Sequence, residues 1–370
     1  MNNFDIVLVA NSPGELSALV KPVAETLAAK HPDTRIILVL TPCQYTSGKE
    51  LDYVETIKGI SQTITANGYK NWILLNKKPE IDFKEKGVVL FLGGDLAHAM
   101  LVAKKLKYPA SAYVQDYIGW TKFYQNFFIP DEATRRKLDP KDKLRDKIKV
   151  VGNLMVDSVV DLHKWAPDKN VITFLPGSRN WQIKHTTPIY EKIIQVMRNA
   201  NRVMGNGNCE LKFQLVSSPF VEAIPIAGVK TIPLSEVHNS ELVITIPGTN
   251  TARLAAQGIP MLVIFPLDDL DVIPLEGIAH YICSIPYFGS KIKQKLADMM
   301  NKNTQFFALP NIKAGKEVVE EIRGIIDEQE VANKALVLLN NHAKRLKMSQ
   351  ELIVAMGQPG AAAKVAQELL

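Results

Sequence analysis

Two short loops in the second half of the chain carry residues suited to binding a diphosphate. One loop reads Pro176-Gly177-Ser178-Arg179 and follows the apolar run Val171 to Leu175; the other reads Pro247-Gly248-Thr249-Asn250 and follows Leu242 to Ile246. Glycine lets backbone amides approach a ligand, and Ser, Thr and Asn are common N-caps. Helix N-termini and arginine both favour phosphate. The loops therefore predict a sugar-nucleotide site, the alternative being ordinary capped helices.

A lone carboxylate stands at the end of a strand-like run in the first half of the chain. Val88 to Leu92 is followed by Gly93-Gly94-Asp95 and then by a helix-like segment. The glycines leave no side chains around Asp95, so its carboxylate is open to accept a proton from a bound hydroxyl. Asp is also a common N-cap, and one residue can fill both roles. Asp95 is therefore a candidate general base.

The N-terminal strand-like run ends in a turn of the same kind. Phe4 to Ala10 leads into Asn11-Ser12-Pro13-Gly14-Glu15, which precedes a helix-like segment from Leu16 to Ala29. A glycine turn and a helix N-terminus at the carboxyl end of a strand are typical of ligand sites in α/β proteins. We therefore expect the first half of the chain to have a site of its own.

Strand-like and helix-like segments alternate along the chain, which predicts α/β structure with parallel, doubly wound sheets. Arg35 to Leu40 is a predicted strand and Leu96 to Leu106 a predicted helix. We also predict a strand at Trp72 to Leu75 and a helix from Glu317 to about Ile326. The alternation continues on both sides of a polar, proline-containing segment in the middle of the chain.

That segment, His163 to Asn170, is the predicted linker between two Rossmann-like domains. We expect residues 1–165 to form an acceptor-binding domain and residues 166–345 a nucleotide-sugar donor domain. Two such domains facing each other across a cleft form the GT-B architecture. A C-terminal helix within residues 346–370 is expected to pack back on the first domain.

Composition and charge argue against several classes of protein. A chain of 370 residues with 46% hydrophobic and 22% charged residues is typical of soluble proteins, and no run reaches the ~18 apolar residues of a membrane span. The net charge of +6 is spread out, without a nucleic-acid motif, so we expect no nucleic-acid partner. The N-terminus lacks the basic region of a signal peptide, and three cysteines show no pairing pattern, which indicates a cytoplasmic protein.

Metal and membrane contacts have weaker signals. The acidic run Asp268-Asp269-Leu270-Asp271 follows a strand-like segment and favours a loop over a metal site. His98, His185 and His280 are isolated, which favours solvated or core histidines. The segment Ala103 to Lys107 could touch a membrane, although a solvated helix face is the simpler interpretation. We expect no metal and no cofactor.

The chain resembles lipid-A-disaccharide synthase, an inverting glycosyltransferase of GT-B fold. The motifs that carry this resemblance are VLVANSPGE, GGD, GNLMVD, FLPGSR, IPGTNTA with GIPMLVIF, and FFALPNIKAGKEVVEEI. The order and spacing of LPGSR, Gly-Thr and LPN are highly specific together. The family transfers a diacylglucosamine from UDP to the 6-hydroxyl of a monosaccharide-1-phosphate lipid, at the cytoplasmic face of the inner membrane. The resemblance implies a UDP-sugar donor, a lipid-linked sugar phosphate acceptor and peripheral contact with that membrane.

The resemblance also implies roles for individual residues. Asp95 matches the family's essential acidic residue, which is proposed to be the general base, and Arg179 matches an arginine needed for activity. The other matched or neighbouring positions fall into a donor group and an acceptor group. The donor group is Gly177, Ser178, Gly248, Thr249, Asn250, Arg253, Asn311 and Glu321, and the acceptor group is Ser12, Gly14 and Glu15.

Several positions depart from the family pattern. Arg253 stands where the family has a glutamate expected to bind ribose hydroxyls; a cation cannot accept those hydrogen bonds but can bind a phosphate. The family's acidic residue after LPGSR is absent from Asn180 to Lys184, and Asn153 replaces a histidine. We expect a hexosyltransferase of this kind. The alternatives are a divergent GT-B enzyme with another donor or acceptor, a nucleotide-sugar 2-epimerase, or a non-catalytic nucleotide-sugar binder.

Overall fold

The structure is a computed structural model that describes residues 4–43, 48–203, 210–267 and 304–370. These residues group into two compact units. The first unit comprises residues 1–161 together with 357–370, and the second comprises residues 162–356. Each unit has its own parallel sheet, so the predicted α/β class with doubly wound sheets is confirmed.

The strands of the first unit form a seven-stranded parallel sheet. They are β1 (Asp5–Ala10), β2 (Arg35–Leu40), β3 (Ile60–Ile64), β4 (Gly87–Phe91), β5 (Ala110–Tyr113), β6 (Tyr124–Ile129) and β7 (Ile148–Val150). Their order in the sheet is β3-β2-β1-β4-β5-β6-β7. The central strands β1 and β4 are buried along their whole length, which explains why they read as continuous apolar runs.

The strands of the second unit form a six-stranded parallel sheet. They are β8 (Val171–Leu175), β9 (Lys212–Ser217), β10 (Lys230–Pro233), β11 (Leu242–Thr245), β12 (Met261–Pro266) and β13 (Glu321–Gly324). Their order is β10-β9-β8-β11-β12-β13. In both sheets, the second and third strands in sequence lie on one side of the first strand, and the later strands lie on its other side.

Helices connect most of these strands. In chain order they are α1 (Pro13–Glu15), which runs through a π-helical turn (Leu16–Val20) into α2 (Lys21–Lys30), α3 (Glu50–Glu55), α4 (Ala66–Leu75), α5 (Leu96–Leu106), α6 (Glu132–Leu138), α7 (Leu154–Asp157), α8 (Asn180–Val203), α9 (Thr249–Ala256), α10 (Leu309–Ala314), α11 (Glu328–Leu339), α12 (His342–Met356) and α13 (Ala361–Leu369). A 3-10 helix spans Leu234–Asn239.

Two of the predicted elements are wrong. Trp72 to Leu75 is the end of helix α4 rather than a strand: Trp72 is buried, whereas Leu74 and Leu75 are exposed. The helix predicted from Glu317 contains strand β13 instead, which pairs with β12 in the parallel register Val263 to Glu321. The partner strand for β13 is remote in sequence, so the local pattern could not reveal it.

The end of the chain is attached to the first unit by Asp157. Its carboxylate accepts hydrogen bonds from the backbone N–H groups of Gly360 at 2.6 Å and Ala362 at 2.5 Å. These donors are at the N-terminus of α13, where a negative charge is favourable. A side chain at Gly152 would lie 3.2 Å from the Ala361 methyl group, so the contact is tight. Helix α13 also packs against α2.

Candidate functional site

The chain order reverses at one point in each sheet. The reversal lies between β1 and β4 in the first unit and between β8 and β11 in the second. Both pairs are parallel, so the carboxyl ends of the two strands share one edge of their own sheet. Open α/β sheets bind ligands outside such points. The loops that follow these four strands contain Asp95 and the predicted glycine turns.

In the second unit, the loops after β8 and β11 lie side by side. The register pairs Thr245 with Leu175, and Thr245 Oγ1 donates to the Leu175 carbonyl at 3.3 Å. Gly177 has φ +105° and Gly248 has φ +141°, values that favour glycine. A side chain at Gly248 would meet no atom within 4 Å, so the described structure leaves that turn open. Arg179 therefore lies at the same edge as Gly248, half-buried at the start of α8.

The side chain of Gln182 packs against the loop after β8. Its Oε1 accepts a hydrogen bond from the Ser178 backbone N–H at 3.1 Å. A side chain at Gly177 would lie 2.4 Å from the same oxygen, so glycine is required for this contact. The segment from Asn180 to Lys184, which lacks the acidic residue expected from the family, thus supplies the neutral amide of Gln182, and this amide stabilises the loop after β8. Lys184, two residues further on, is exposed.

Helix α9 begins at the open glycine turn. Gly248 is its N-cap and, as a glycine, makes no side-chain hydrogen bond to the first amides of the helix. Thr249 and Asn250 form the first turn and are half-buried, as is Arg253 one turn later. Thr251 stabilises the turn, because its Oγ1 donates to the Gly248 carbonyl at 2.7 Å. The N-terminal amides of α9 and the positive end of the helix dipole favour an anion at this position.

Glu321 on β13 holds the segment that precedes α10. Its carboxylate accepts hydrogen bonds from the backbone N–H groups of Phe307 at 3.0 Å and Ala308 at 2.9 Å. Arg323 donates to it through Nη2 at 2.6 Å, and Asn311 donates through Nδ2 at 2.8 Å. The Glu321 side chain is only 5% exposed. Its oxygens are thus engaged within the protein.

Asn311 is fully buried and engaged on both sides of its amide. Its Oδ1 accepts from the backbone N–H groups of Val318 at 2.7 Å and Val319 at 2.9 Å. Its Nδ2 donates to the Val319 carbonyl at 2.8 Å as well as to Glu321. Asn311 and Glu321 therefore stabilise the start of α10, and Leu309 N–H there donates to Thr251 Oγ1 at 3.3 Å.

In the first unit, Glu15 joins the loops after β1 and β4. Its carboxylate accepts backbone N–H groups from Asn11 at 3.1 Å, Ser12 at 3.0 Å and Gly94 at 3.0 Å. Ser12 Oγ in turn accepts from the Glu15 N–H at 3.4 Å, which completes a capping box. A side chain at Gly93 would lie 2.0 Å from Glu15 Cδ, so only glycine leaves room there.

Two opposing effects act on the pKa of the Glu15 carboxyl. Burial raises the pKa of the Glu15 carboxyl, and the hydrogen bonds from Asn11, Ser12 and Gly94 oppose that rise. Among the other predicted acceptor-binding positions, Ser12 is the N-cap and Gly14 accepts a hydrogen bond from Ser17 Oγ at 3.2 Å. The carboxylate thus holds the two loops together.

Asp95 combines the two roles considered from the sequence. It is the N-cap of α5, with Oδ1 accepting from the Ala97 N–H at 2.8 Å, and its side chain is exposed. Gly94 before it has φ +91°, and a side chain there would lie 2.9 Å from Asn11 Nδ2. The carboxylate is therefore fixed through one oxygen while remaining open to solvent.

His98 is half-buried and contacts a tyrosine, which is consistent with the predicted core histidine. Its Nδ1 is 2.6 Å from the Tyr69 hydroxyl, and the two rings meet edge to face with centroids 5.2 Å apart. Burial lowers the pKa of His98, and the charge of Asp95 opposes this. Burial and the same charge raise the pKa of Tyr69 to about 12. The only hint in the sequence was that His98 follows Asp95 by three residues in a helix.

The described part of the chain has neither a candidate metal cluster nor a candidate membrane span. No group of three or more His, Cys, Asp or Glu side chains there could hold a metal ion. No helix there is long and apolar enough to cross a membrane. The acidic run 268–271, His280, Cys209 and Cys283 lie outside the described residues.

Comparisons with known proteins agree with this geometry. Among solved structures of similar fold, UDP-GlcNAc 2-epimerase from Neisseria meningitidis bound to UDP-GlcNAc has 15% identity and a TM-score of 0.57, covering 99% of each chain. MnaA of S. aureus with UDP has 14% identity and a TM-score of 0.55, covering 99% of this chain and 97% of that one. The glycotransferase of kitacinnamycin has 12% identity and a TM-score of 0.56, covering 100% of both. These likenesses confirm the predicted GT-B fold.

Sequence comparison gives the family. No curated protein matches the chain in sequence. A family model described as lipid-A-disaccharide synthetase matches residues 144–368, which is more than half of the chain. This range includes the loops after β8 and β11 and the segment around α10. The chain therefore belongs to the lipid-A-disaccharide synthetase family.

Proposed function

We propose that this protein is an inverting glycosyltransferase that transfers an acylated glucosamine from a UDP-sugar to the hydroxyl of a lipid-linked sugar phosphate. Family membership supports a transferase. The observation that carries the proposal is the pairing of two anion-favouring loops at the reversal point of the second sheet. The loop after β8 contains the cation Arg179, and the loop after β11 leads into the N-terminus of α9; both features favour a diphosphate.

In this proposal the second unit binds the donor. The amides that follow Gly248 and the guanidinium of Arg179 bind the diphosphate, and Arg253 adds positive charge one turn into α9. Asn311 and Glu321 act indirectly, because they fix the segment that contacts Thr251 in the same helix. Two proteins of similar fold are described with UDP or UDP-GlcNAc, which supports a nucleotide-sugar ligand.

Asp95 is the proposed general base of the transfer. The acceptor oxygen forms a bond to the anomeric carbon of the donor, while the bond from that carbon to the diphosphate oxygen breaks. Asp95 takes the proton of the acceptor hydroxyl, and the electron pair of the broken bond leaves on the nucleotide diphosphate. Oriented donors such as Arg179 stabilise that developing charge, and loss of one typically lowers the rate by about 10²- to 10³-fold.

A lipid-linked acceptor would bring the protein to the cytoplasmic face of the inner membrane. The ends of α4 and α5 offer a suitable surface. Leu74 and Leu75 are 76% and 61% exposed, and Lys105 reaches across to Asn76 Oδ1 at 2.6 Å. Lys104 is also exposed, with its ammonium group 4.2 Å from the centroid of the Phe123 ring. Apolar side chains beside lysines suit an interface with anionic lipids, which supports peripheral contact.

A thermal-shift screen of nucleoside diphosphates and their sugars tests the donor assignment. We expect stabilisation by UDP and UDP-sugars that is lost in Arg179→Ala. Lys184→Ala is the matched control, because it removes an exposed cation from α8, the helix that follows Arg179, and should retain the UDP shift. Equal UDP shifts in the Arg179→Ala variant and the wild type would contradict the proposed donor site.

A nucleotide-sugar 2-epimerase is the second candidate, because a 2-epimerase shares the fold. An epimerase changes its sugar nucleotide without an acceptor, whereas a transferase releases UDP only when an acceptor is present. Incubation with UDP-GlcNAc alone, followed by NMR of the sugar, separates the two. Binding of the sugar nucleotide without either reaction would indicate a non-catalytic binder.

A further inference from the structure

Two consecutive glycines precede the proposed general base. Gly93 and Gly94 connect the end of β4 to Asp95, and Gly94 has φ +91°. Glycine samples more backbone conformations than any other residue, so a Gly-Gly pair loses much conformational entropy when it is ordered. A general base, however, must lie within hydrogen-bond reach of the proton that it removes. Contacts that select one conformation of this dipeptide therefore matter for the reaction.

On its C-terminal side, Asp95 is fixed by helix α5. The Oδ1 atom accepts a hydrogen bond from the Ala97 N–H at 2.8 Å, as expected for an N-cap. This bond orients the carboxylate relative to the helix. It does not determine the conformation of the two glycines on the other side of Asp95.

On the N-terminal side, the contact comes from Glu15. Its Oε1 atom accepts a hydrogen bond from the Gly94 backbone N–H at 3.0 Å, across 79 residues of sequence. Its Oε2 atom accepts from the backbone N–H groups of Asn11 at 3.1 Å and Ser12 at 3.0 Å. Glu15 thus joins the loop after β1 to the loop of the proposed base, one residue before Asp95.

This set of contacts requires a carboxylate. All three partners are N–H donors, and an ionised carboxylate accepts on both oxygens, whereas a carboxamide accepts on one side and donates from the other. The space is also restricted: a Cβ atom at Gly93 would lie 2.0 Å from Glu15 Cδ, and one at Gly94 would lie 2.9 Å from Asn11 Nδ2. Both loops are therefore fitted to an ionised Glu15.

We propose that Glu15 is a positioning residue for Asp95: its carboxylate binds the Gly94 amide and thereby fixes the position of the base. This inference rests on the proposed function, since it takes Asp95 as the general base. It replaces the acceptor-binding role that the family resemblance implies for Glu15, because both oxygens of Glu15 are engaged by backbone amides of the protein.

Glu15→Gln tests this role by kinetics. The amide keeps the size of the side chain but has one accepting oxygen, which should face the two N–H groups of Asn11 and Ser12. Its NH₂ group then faces the Gly94 N–H, so this bond is lost. We expect kcat to fall about tenfold, the scale of one hydrogen bond, with unchanged KM for donor and acceptor. An unchanged kcat with a raised acceptor KM would indicate acceptor binding and overturn the inference.

Glu50→Gln is the matched control. Glu50 is also a buried glutamate of the first unit, and it accepts the Gly48 N–H at 3.0 Å, but Gly48 lies in the loop after β2 rather than in that of Asp95. Both variants should show a lowered Tm, whereas only Glu15→Gln should show a lowered kcat. An equal fall of kcat in the two variants would reduce Glu15 to a general stabilising role and contradict the proposal.

Hydrogen exchange of the Gly94 amide, followed by NMR, tests the contact without an activity assay. In Glu15→Gln this amide should exchange about tenfold faster than in the wild type, because its acceptor is lost. The Leu92 amide, which donates to the Val9 carbonyl at 2.8 Å, is the internal control and should keep its protection. Equal exchange rates of Gly94 in the variant and the wild type would overturn the inference.

The failure of this inference can be distinguished from that of the proposed function. Absence of turnover in the wild-type protein would defeat the proposed function, while the exchange rate of Gly94 would still report whether Glu15 fixes the loop. An active wild type together with a Glu15→Gln variant of unchanged kcat would overturn this inference alone.

Discussion

Substitution of Asn311 tests whether the segment Leu309-Pro310-Asn311 binds the nucleotide directly or stabilises the site without contacting the nucleotide. Its amide makes four hydrogen bonds at 2.7–2.9 Å, one of them to the Glu321 carboxylate, and its side chain is fully buried. In Asn311→Ala, the groups that bond to the Asn311 amide stay buried and lose this hydrogen-bond partner. Three neutral bonds at about 1 kcal/mol each and one charged bond at about 2 kcal/mol, reduced by relaxation, give a loss of about 4 kcal/mol.

A loss of that size should lower the Tm of the second unit by roughly 8–16 °C. Differential scanning calorimetry measures it, and isothermal titration with UDP is performed below the transition. Asn333→Ala on α11 is the control, because Asn333 is exposed and its loss should cost no more than about 0.5 kcal/mol. A direct nucleotide contact would give the opposite pattern: unchanged Tm with weakened UDP binding would refute our reasoning.

Asn311→Asp sharpens the test, because the new carboxylate keeps the shape but faces the Glu321 carboxylate at the 2.8 Å contact. Like charges that share a buried site raise the pKa of one of them in the folded state. A folded-state pKa raised above the unfolded one gives stability at low pH that is lost as the pH rises through the folded-state value. We therefore expect the Tm deficit of Asn311→Asp to grow from pH 4 to pH 8. A deficit that shrinks over this range would contradict the arrangement.

Three further predictions concern catalysis and membrane contact. Asp95→Asn should abolish UDP release while retaining the UDP-induced thermal shift; substantial residual turnover would exclude Asp95 as the base. Gly93→Ala should displace the Glu15 carboxylate, because the added methyl group would lie 2.0 Å from its Cδ, and should reduce kcat about tenfold without weakening UDP binding. Replacement of Leu74 and Leu75 by serine should reduce co-sedimentation with anionic vesicles, and unchanged co-sedimentation would argue against this surface.

The local signals for the central elements were sufficient to predict much of the fold. Buried parallel strands such as β8 and β11 are short apolar runs that end at Pro-Gly turns, and both properties belong to consecutive residues. Parallel pairing then follows from the alternation of strands and helices. Local signals failed for Trp72 to Leu75, because a short apolar run does not distinguish a helix end from a strand. They also failed for β13, because its sequence EIRG has a single apolar side chain and no strand pattern.

By itself, the sequence determined the chemistry available: a carboxylate after two glycines, an arginine after a glycine turn, and a family pattern that joins them. Only the tertiary structure decided which of these groups meet. Strand order brings the loop at Gly177 to the one at Gly248, and burial engages Asn311 with Glu321 inside the protein. The tertiary structure also brings His98 into contact with Tyr69, 29 residues away. Such contacts depend on sheet order and packing between distant segments, which no stretch of neighbouring residues encodes.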